Sequence, residues 1–183
     1  GAMDNLPTVT REVQLMLGTI EDTGEGEETT PTFGASDIMH LSRVQLLAAY
    51  ACTECGRCTD ECPANQTGKL LSPRKIMMDT RRRTQEVAEN IRHNKGTFVP
   101  DQKALLGDYI TPEELWACTT CAACVEACPM EISPLSIIVE MRRYIVMEQS
   151  AAPASLNKMM TQMENTSSPW GYNPAERETV LNE

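Results

Sequence analysis

The chain has 183 residues, 41% of them hydrophobic and 23% charged, with a formal net charge of −10. That length holds one domain or a compact two-lobed unit, and so acidic a balance argues against nucleic-acid phosphate as the main partner. Aromatic residues make up only 4%, which excludes a large aromatic core, and the apolar runs 44–52 and 134–139 are far too short to span a bilayer.

In chain order, Gly1-Ala2-Met3 resembles the remnant of a cleaved expression tag, and no secretory leader is expected. Residues 4–17 predict a short amphipathic helix with Val9, Val13, Met16 and Leu17 on one face. Residues 18–36 hold five acids between Glu21 and Glu28 and read as an extended, solvated linker. A helix over about 42–50 leads to Cys52. Ser72-Pro73 opens the next helix, serine as N-cap and proline at the first helical position, running to about 91. Gly96, Pro100 and Gly107 make 94–110 a loop. Thr111-Pro112-Glu113-Glu114 is a capping box for a short helix carrying Leu115 and Trp116 towards Cys118. Ser133-Pro134 repeats the earlier start, for a helix to about 148. A further helix is expected over 153–163, an irregular tail over 165–172, and a last helix capped by Asn173-Pro174. No segment alternates with period two, so the predicted fold class is mostly α with long loops.

All eight cysteines fall into two copies of one pattern. These are Cys52-x2-Cys55-x2-Cys58-x3-Cys62-Pro63 and Cys118-x2-Cys121-x2-Cys124-x3-Cys128-Pro129. Thiols bunched three per turn are poor disulfide partners, and together with the chain's length they point to a reducing compartment. A tetrahedral zinc site prefers separated CxxC pairs. Three cysteines at i, i+3 and i+6 instead wrap three irons of a cubane, and the fourth thiolate comes from elsewhere. The spacing resembles that of bacterial two-cluster ferredoxins, where the last cysteine of each motif ligates the other cluster. On that pattern Cys52, Cys55 and Cys58 join Cys128 on one 4Fe–4S cluster, and Cys118, Cys121 and Cys124 join Cys62 on a second. The prolines are expected to stop any helix entered at the fourth cysteine.

The surroundings repeat as well. Tyr50-Ala51-Cys52-Thr53 matches Trp116-Ala117-Cys118-Thr119 at an offset of 66. Ser72-Pro73 and Arg81-Arg82 match Ser133-Pro134 and Arg142-Arg143 at 61. Two units, each a short helix, a cysteine loop and a long helix, would make a pseudo-twofold helical domain. Thr53, Thr59, Thr119 and Thr120 are either donors to cluster sulfurs or ordinary loop hydroxyls. Tyr50 and Trp116 are expected in the core, and Met77, Met78, Met159 and Met160 as packing residues. Half of the sixteen basic residues lie between Lys69 and Lys95. They read as a solvated helix face rather than a docking patch. No nucleophile–base or paired-carboxylate set is evident, so no catalytic site is expected in the chain itself.

The stretch from about 33 to 174 resembles the dicluster ferredoxin domain of heterodisulfide-reductase-type Fe–S oxidoreductases. Relatives include the iron–sulfur subunits of anaerobic glycerol-3-phosphate dehydrogenase and glycolate oxidase. The resemblance rests on Cys52-Thr53-Glu54-Cys55-Gly56-Arg57-Cys58 and on Gly68-Lys69-Leu70-Leu71-Ser72-Pro73-Arg74-Lys75. It implies an α-helical ferredoxin fold with two 4Fe–4S clusters. It further implies a parent with a membrane domain before this one and a cysteine-rich domain after it. In such a parent, electrons pass from electron-transfer flavoprotein to a quinone at the cytoplasmic membrane face.

The expected organisation is a tag remnant, short helix and acidic linker over 1–36, a dicluster domain over 37–150, and a helix and tail over 151–183 leading to a further domain. The expected function is relay of single electrons within a membrane-associated, quinone-linked oxidoreductase. Two alternatives are a free-standing ferredoxin or iron–sulfur partner of a cytosolic dehydrogenase, and a structural module stapled by its metals.

Overall fold

The computed structural model describes residues 7–19 and 32–171, and it is helical, with no β-strand among the described residues. The chain divides into two compact units, residues 1–148 and 149–183. In the first, α1 spans Pro7–Met16, α2 Arg43–Ala51, α3 Arg57–Asp60, α4 Pro63–Gln66, α5 Pro73–His93, α6 Pro112–Ala117, α7 Ala123–Glu126 and α8 Pro134–Met147. In the second, α9 spans Ala154–Thr166.

The helix starts follow the local chemistry of the sequence. Ser42 caps α2 and Thr111 caps α6 with complete capping boxes, in which Gln45 and Glu114 reach back to the cap backbone. Ser72 and Ser133 accept from the Lys75 and Ser136 amides, satisfying donors that the first helical turn leaves free, with proline at N1 in both helices. Pro63 differs from expectation. It opens α4 at N1 instead of only ending a helix, because its missing N–H is one the first turn would leave unpaired.

The core lies along α5, which packs against α2 and α8, while α6 packs on α8. Ile76, Met77 and Val87 of α5 meet Ile137, Ile138, Met141 and Ile145 of α8, with Leu71, Leu105, Ile110 and Leu115 closing the ends. The expected loop over 94–110 contains a wide turn over Leu105–Tyr109, in which Gly107 takes φ 102° and the Leu106 amide donates to Ser36 O at 2.9 Å. Residues 33–36, at the end of the expected linker, are held against α8. Ala35 and Ile38 are buried, and the Ala35 amide donates to Glu140 O at 3.0 Å. Residues 20–31 of the expected linker, and the helix expected after Asn173-Pro174, lie outside the described residues.

Other departures are local. α9 runs to Thr166, past the expected end, and closes on Ser167 in the left-handed conformation, φ 52°. Tyr50 is 46% exposed rather than core, and Met159 and Met160 are also exposed. Val13, Met16 and Leu17 of the first helix face solvent.

The basic run on α5 is only in part a solvated face: Arg74, Arg82 and Arg92 are exposed, whereas Arg83 and Lys75 are engaged within the fold. Arg83 is fully buried and forks onto Asp37, Asp101 and the Lys103 carbonyl. Lys75 bridges Asp79 at 3.1 Å and Glu114 at 2.8 Å. Burial opposes the Lys75 ammonium, but its bonds to Glu114 and Asp79 outweigh that and raise its pKa. These bonds tie 37–41, 101–110 and α6 to the face of α5 that backs the cysteine loops.

Candidate metal centre

The two motifs fold alike. In each, the second residue after the first cysteine and the residue after the second cysteine are left-handed: Glu54 and Gly56 in one copy, Thr120 and Ala122 in the other. These inversions curl the loop so that successive cysteines face one interior point. Gly56 takes φ 88° at no steric cost. Ala122 adopts the same region at a penalty of roughly 1–2 kcal/mol, which the cysteine loop imposes.

All eight cysteines are free thiols. Two cavities lie between the repeats. The first is lined by Cys52, Cys55, Cys58 and Cys128. The second is lined by Cys118, Cys121, Cys124 and Cys62. Each thus draws three cysteines from one motif and the last from the other. Apolar side chains share the walls, Met77, Ile132 and Pro134 at the first and Leu71, Pro73 and Ile138 at the second, while Thr53, Glu54 and Arg74 also line the first and Thr119 the second. The short helices α3 and α7, which carry Cys58 and Cys124, pack on each other. Cys55 and Cys121, equivalent in the repeat, are the exposed corners, whereas Cys62 and Cys124 are buried.

The thiols strain against one another. Burial pushes Cys124 up to about 12, helped by repulsion from Cys118, Cys58 and Cys62. Burial likewise raises Cys52 against the opposing charge of Arg81, and Cys58 against a hydrogen bond from Thr59. At Cys118 burial outweighs the Thr120 amide, which donates to its Sγ at 3.4 Å, and the charge of Arg142. Cys121 moves the other way, lowered by the Ala123 amide and the Thr119 hydroxyl. Of the four threonines, Thr59 pairs its hydroxyl with that of Ser72 at 2.9 Å. The Thr120 hydroxyl instead turns to the Thr119 carbonyl at 2.7 Å.

Such a donor set fits a cationic metal core. Four thiolates in one cavity are costly without positive charge between them, and coordinated thiols deprotonate outright. Among the described residues, no three His, Cys, Asp or Glu groups converge as ligands of a single ion. The sulfurs instead surround a space suited to a multi-iron core. The residues present therefore fit 4Fe–4S clusters.

Two arginines at this site were visible in the repeat, but their role was not. Arg81 donates to Cys52 O at 3.2 Å, and Arg142 donates to Cys118 O at 2.5 Å and to Leu115 O at 2.6 Å. Each thus holds the main chain of the first cysteine of its own motif. The signal in the sequence was the shared offset of 61, which also relates Pro73 to Pro134.

The fold and the site define an iron–sulfur electron-transfer domain. Residues 51–132 match the 4Fe-4S dicluster domain family, and the chain carries a member of that family with its 4Fe–4S cofactors. The chain is 34% identical over 194 residues to the "Probable iron-sulfur-binding oxidoreductase FadF" of Bacillus subtilis, covering 91% of this chain and 28% of that protein. It is 34% identical over 174 residues to the EtfAB:quinone oxidoreductase of Syntrophomonas wolfei, covering 85% and 24%. It is also 32% identical over 120 residues to one component of the ferredoxin/F(420)H(2)-dependent CoB-CoM heterodisulfide reductase of Methanosarcina acetivorans, covering 65% and 60%. The chain spans about a quarter of the length of the first two relatives.

Proposed function

We propose that this chain is the wire of a larger oxidoreductase, passing single electrons through two 4Fe–4S clusters held between its repeats. The observation that carries this reading is the pair of cavities, each framed by three cysteines of one motif and the last of the other. In this reading Cys52, Cys55, Cys58 and Cys128 ligate one cluster, and Cys118, Cys121, Cys124 and Cys62 the other, within a dicluster domain over 37–150. When bound, each cluster supplies a site that accepts and returns one electron without making or breaking bonds to substrate.

The chain's own residues hold the two sites together. The crossed cysteines tie each motif to the other's cavity, while α3 packs on α7. The aliphatic side chains Met77 and Ile132 at one site, and Leu71 and Ile138 at the other, limit the approach of water from the core side. The exposed Cys55 and Cys121 corners give a donor access at one site and an acceptor access at the other.

The names of the relatives support the finer reading. One is an EtfAB:quinone oxidoreductase, which fits an electron-transfer flavoprotein as donor and a quinone-linked membrane domain as acceptor. A cysteine-rich domain following this one would complete such a parent. No helix among the described residues is long and apolar enough to cross a membrane, so attachment to a cytoplasmic membrane face would rest on other domains.

The test is anaerobic iron and sulfide quantification with redox-titrated EPR. About eight irons and eight sulfides are expected for two cubanes; about four irons, or zinc, would refute the assignment. The crossing is tested in a background with Cys52, Cys55 and Cys58 changed to alanine. The surviving cluster should be lost on Cys62→Ser and kept on Cys128→Ser, and the reverse would exchange the ligand sets.

A further inference from the structure

The repeats differ in how their arginines are neutralised. Arg81 and Arg142 occupy equivalent positions, eight residues after Pro73 and Pro134. Arg81, 23% exposed, is ion-paired with Glu54, whose side chain lines the first cavity. The residue equivalent to Glu54 in the second motif is Thr120, which carries no charge. Arg142 accordingly makes no ion pair among the described residues. It is half-buried, lies over the Trp116 ring at 4.9 Å, and spends its donors on the Leu115 and Cys118 carbonyls. Its guanidinium thereby sits on the main chain of a cysteine that lines the second cavity.

Reducing a cluster adds negative charge, so a nearby unpaired cation stabilises the reduced form and raises the potential, most strongly where water is excluded. An arginine already paired with a carboxylate does so far less. Arginine keeps its charge at any relevant pH, so the effect is a fixed feature of the fold. One further cation faces the first cavity: Arg74, replaced by Leu135 at the equivalent place in the second. Arg74 is exposed, and water and salt screen it.

We propose that Arg142 is a potential-setting residue for the cluster held by Cys62, Cys118, Cys121 and Cys124, and that Glu54 silences its counterpart Arg81 at the other cluster. The clusters are then unequal, and the second is the electron sink of the pair. This rests on the ligand sets proposed above.

The experiment is a redox titration followed by EPR on the anaerobically purified protein and three variants, with iron and sulfide measured on each. The wild type should show two midpoints. Arg142→Gln should lower the higher one by at least tenfold in its one-electron equilibrium, about 59 mV, leaving the other in place. Arg142→Lys keeps the charge without the fork and should retain most of the wild-type potential, whereas a purely structural role for the guanidinium would make it resemble Arg142→Gln. Glu54→Gln, at a side chain 39% exposed, should raise the lower midpoint and decides the matter if Arg142→Gln fails to hold its clusters. Unmoved midpoints, or equal shifts in both, would overturn the inference while the cluster assignment stands. Fewer than two reducible clusters in the wild type would overturn that assignment and this inference with it.

Discussion

Gly34 shows how little freedom single positions have around this site. It takes φ 78°, and a Cβ there would lie 2.3 Å from Glu140 O and 2.5 Å from Tyr144 N, both backbone atoms of α8. Neither can move without breaking the helix that carries Arg142. Gly34→Ala is therefore expected to cost about 2–4 kcal/mol, combining left-handed strain with overpacking, measured by chemical denaturation of the cluster-loaded protein. A cost under about 0.5 kcal/mol would show that the 33–41 segment is free to lift off α8. Ala122 points the other way. Its side chain occupies a left-handed position that Gly56 fills in the first repeat. Ala122→Gly should stabilise the second cysteine loop by up to about 1 kcal/mol, seen as slower loss of cluster absorbance on heating. No change would place the strain elsewhere in the loop.

Among the elements, α5 carries the greatest electrostatic stake. Arg83 is fully buried, and it satisfies Asp37 and Asp101 from two separate loops. Its bonds to Asp101 hold that carboxyl down at about 2. Removing one member of a buried ion network strands the others, typically at about 3–5 kcal/mol. Arg83→Met should therefore destabilise by that order, and Arg83→Lys should recover only a part, because an ammonium cannot fork onto both carboxylates. Equal stability of the wild type and the methionine variant in urea would contradict this.

Tyr109 gives the same region a signature in alkali. Burial and the hydrogen bond it donates to Glu86 push its phenol up to about 12 from an ordinary value of 10.0. The folded state favours the protonated form, so this contribution to stability is complete below pH 10 and is lost as pH rises through 12. Tyr109→Phe should lack that part of the alkaline fall in stability, and one tyrosine of the wild type should ionise near 12 in an ultraviolet difference titration. A tyrosine count that titrates entirely near 10 would contradict the partly buried hydrogen bond from Tyr109 to Glu86.

For the whole molecule, the two cysteine motifs and the long helices behind them form one unit, whose halves the crossed ligands proposed above would join. Metal binding to such sites is coupled to folding. Chelation of iron under denaturing stress should therefore loosen α5 and α8 together, not one repeat at a time. Hydrogen exchange before and after cluster removal checks this. Protection retained in one repeat and lost in the other would mean that each motif serves its own cluster.

Much of this was readable along the chain because the information is local. Ser72, Thr111 and Ser133 cap the helices they were expected to cap, since a cap needs only a hydroxyl and the next few amides. The cysteine spacing likewise named the cofactor, because three ligands of a cubane sit within one turn of chain. What escaped was everything that depends on distant residues meeting. The basic run on α5 looked like a solvated face because Asp37 and Asp101 lie 46 and 18 positions from Arg83. Residues 33–36 looked like linker because their partner, α8, lies more than a hundred positions away. Short helices such as α3 and α7 carry too few residues to leave a periodic pattern.

The sequence by itself thus determined the carrier and the helix starts, both set by neighbours a few bonds away. Only the tertiary structure decided which arginine is ion-paired and which spends its donors on main-chain carbonyls. Those outcomes turn on the long-range packing of α5 against α8, and on a carboxylate present in one repeat and missing from the other.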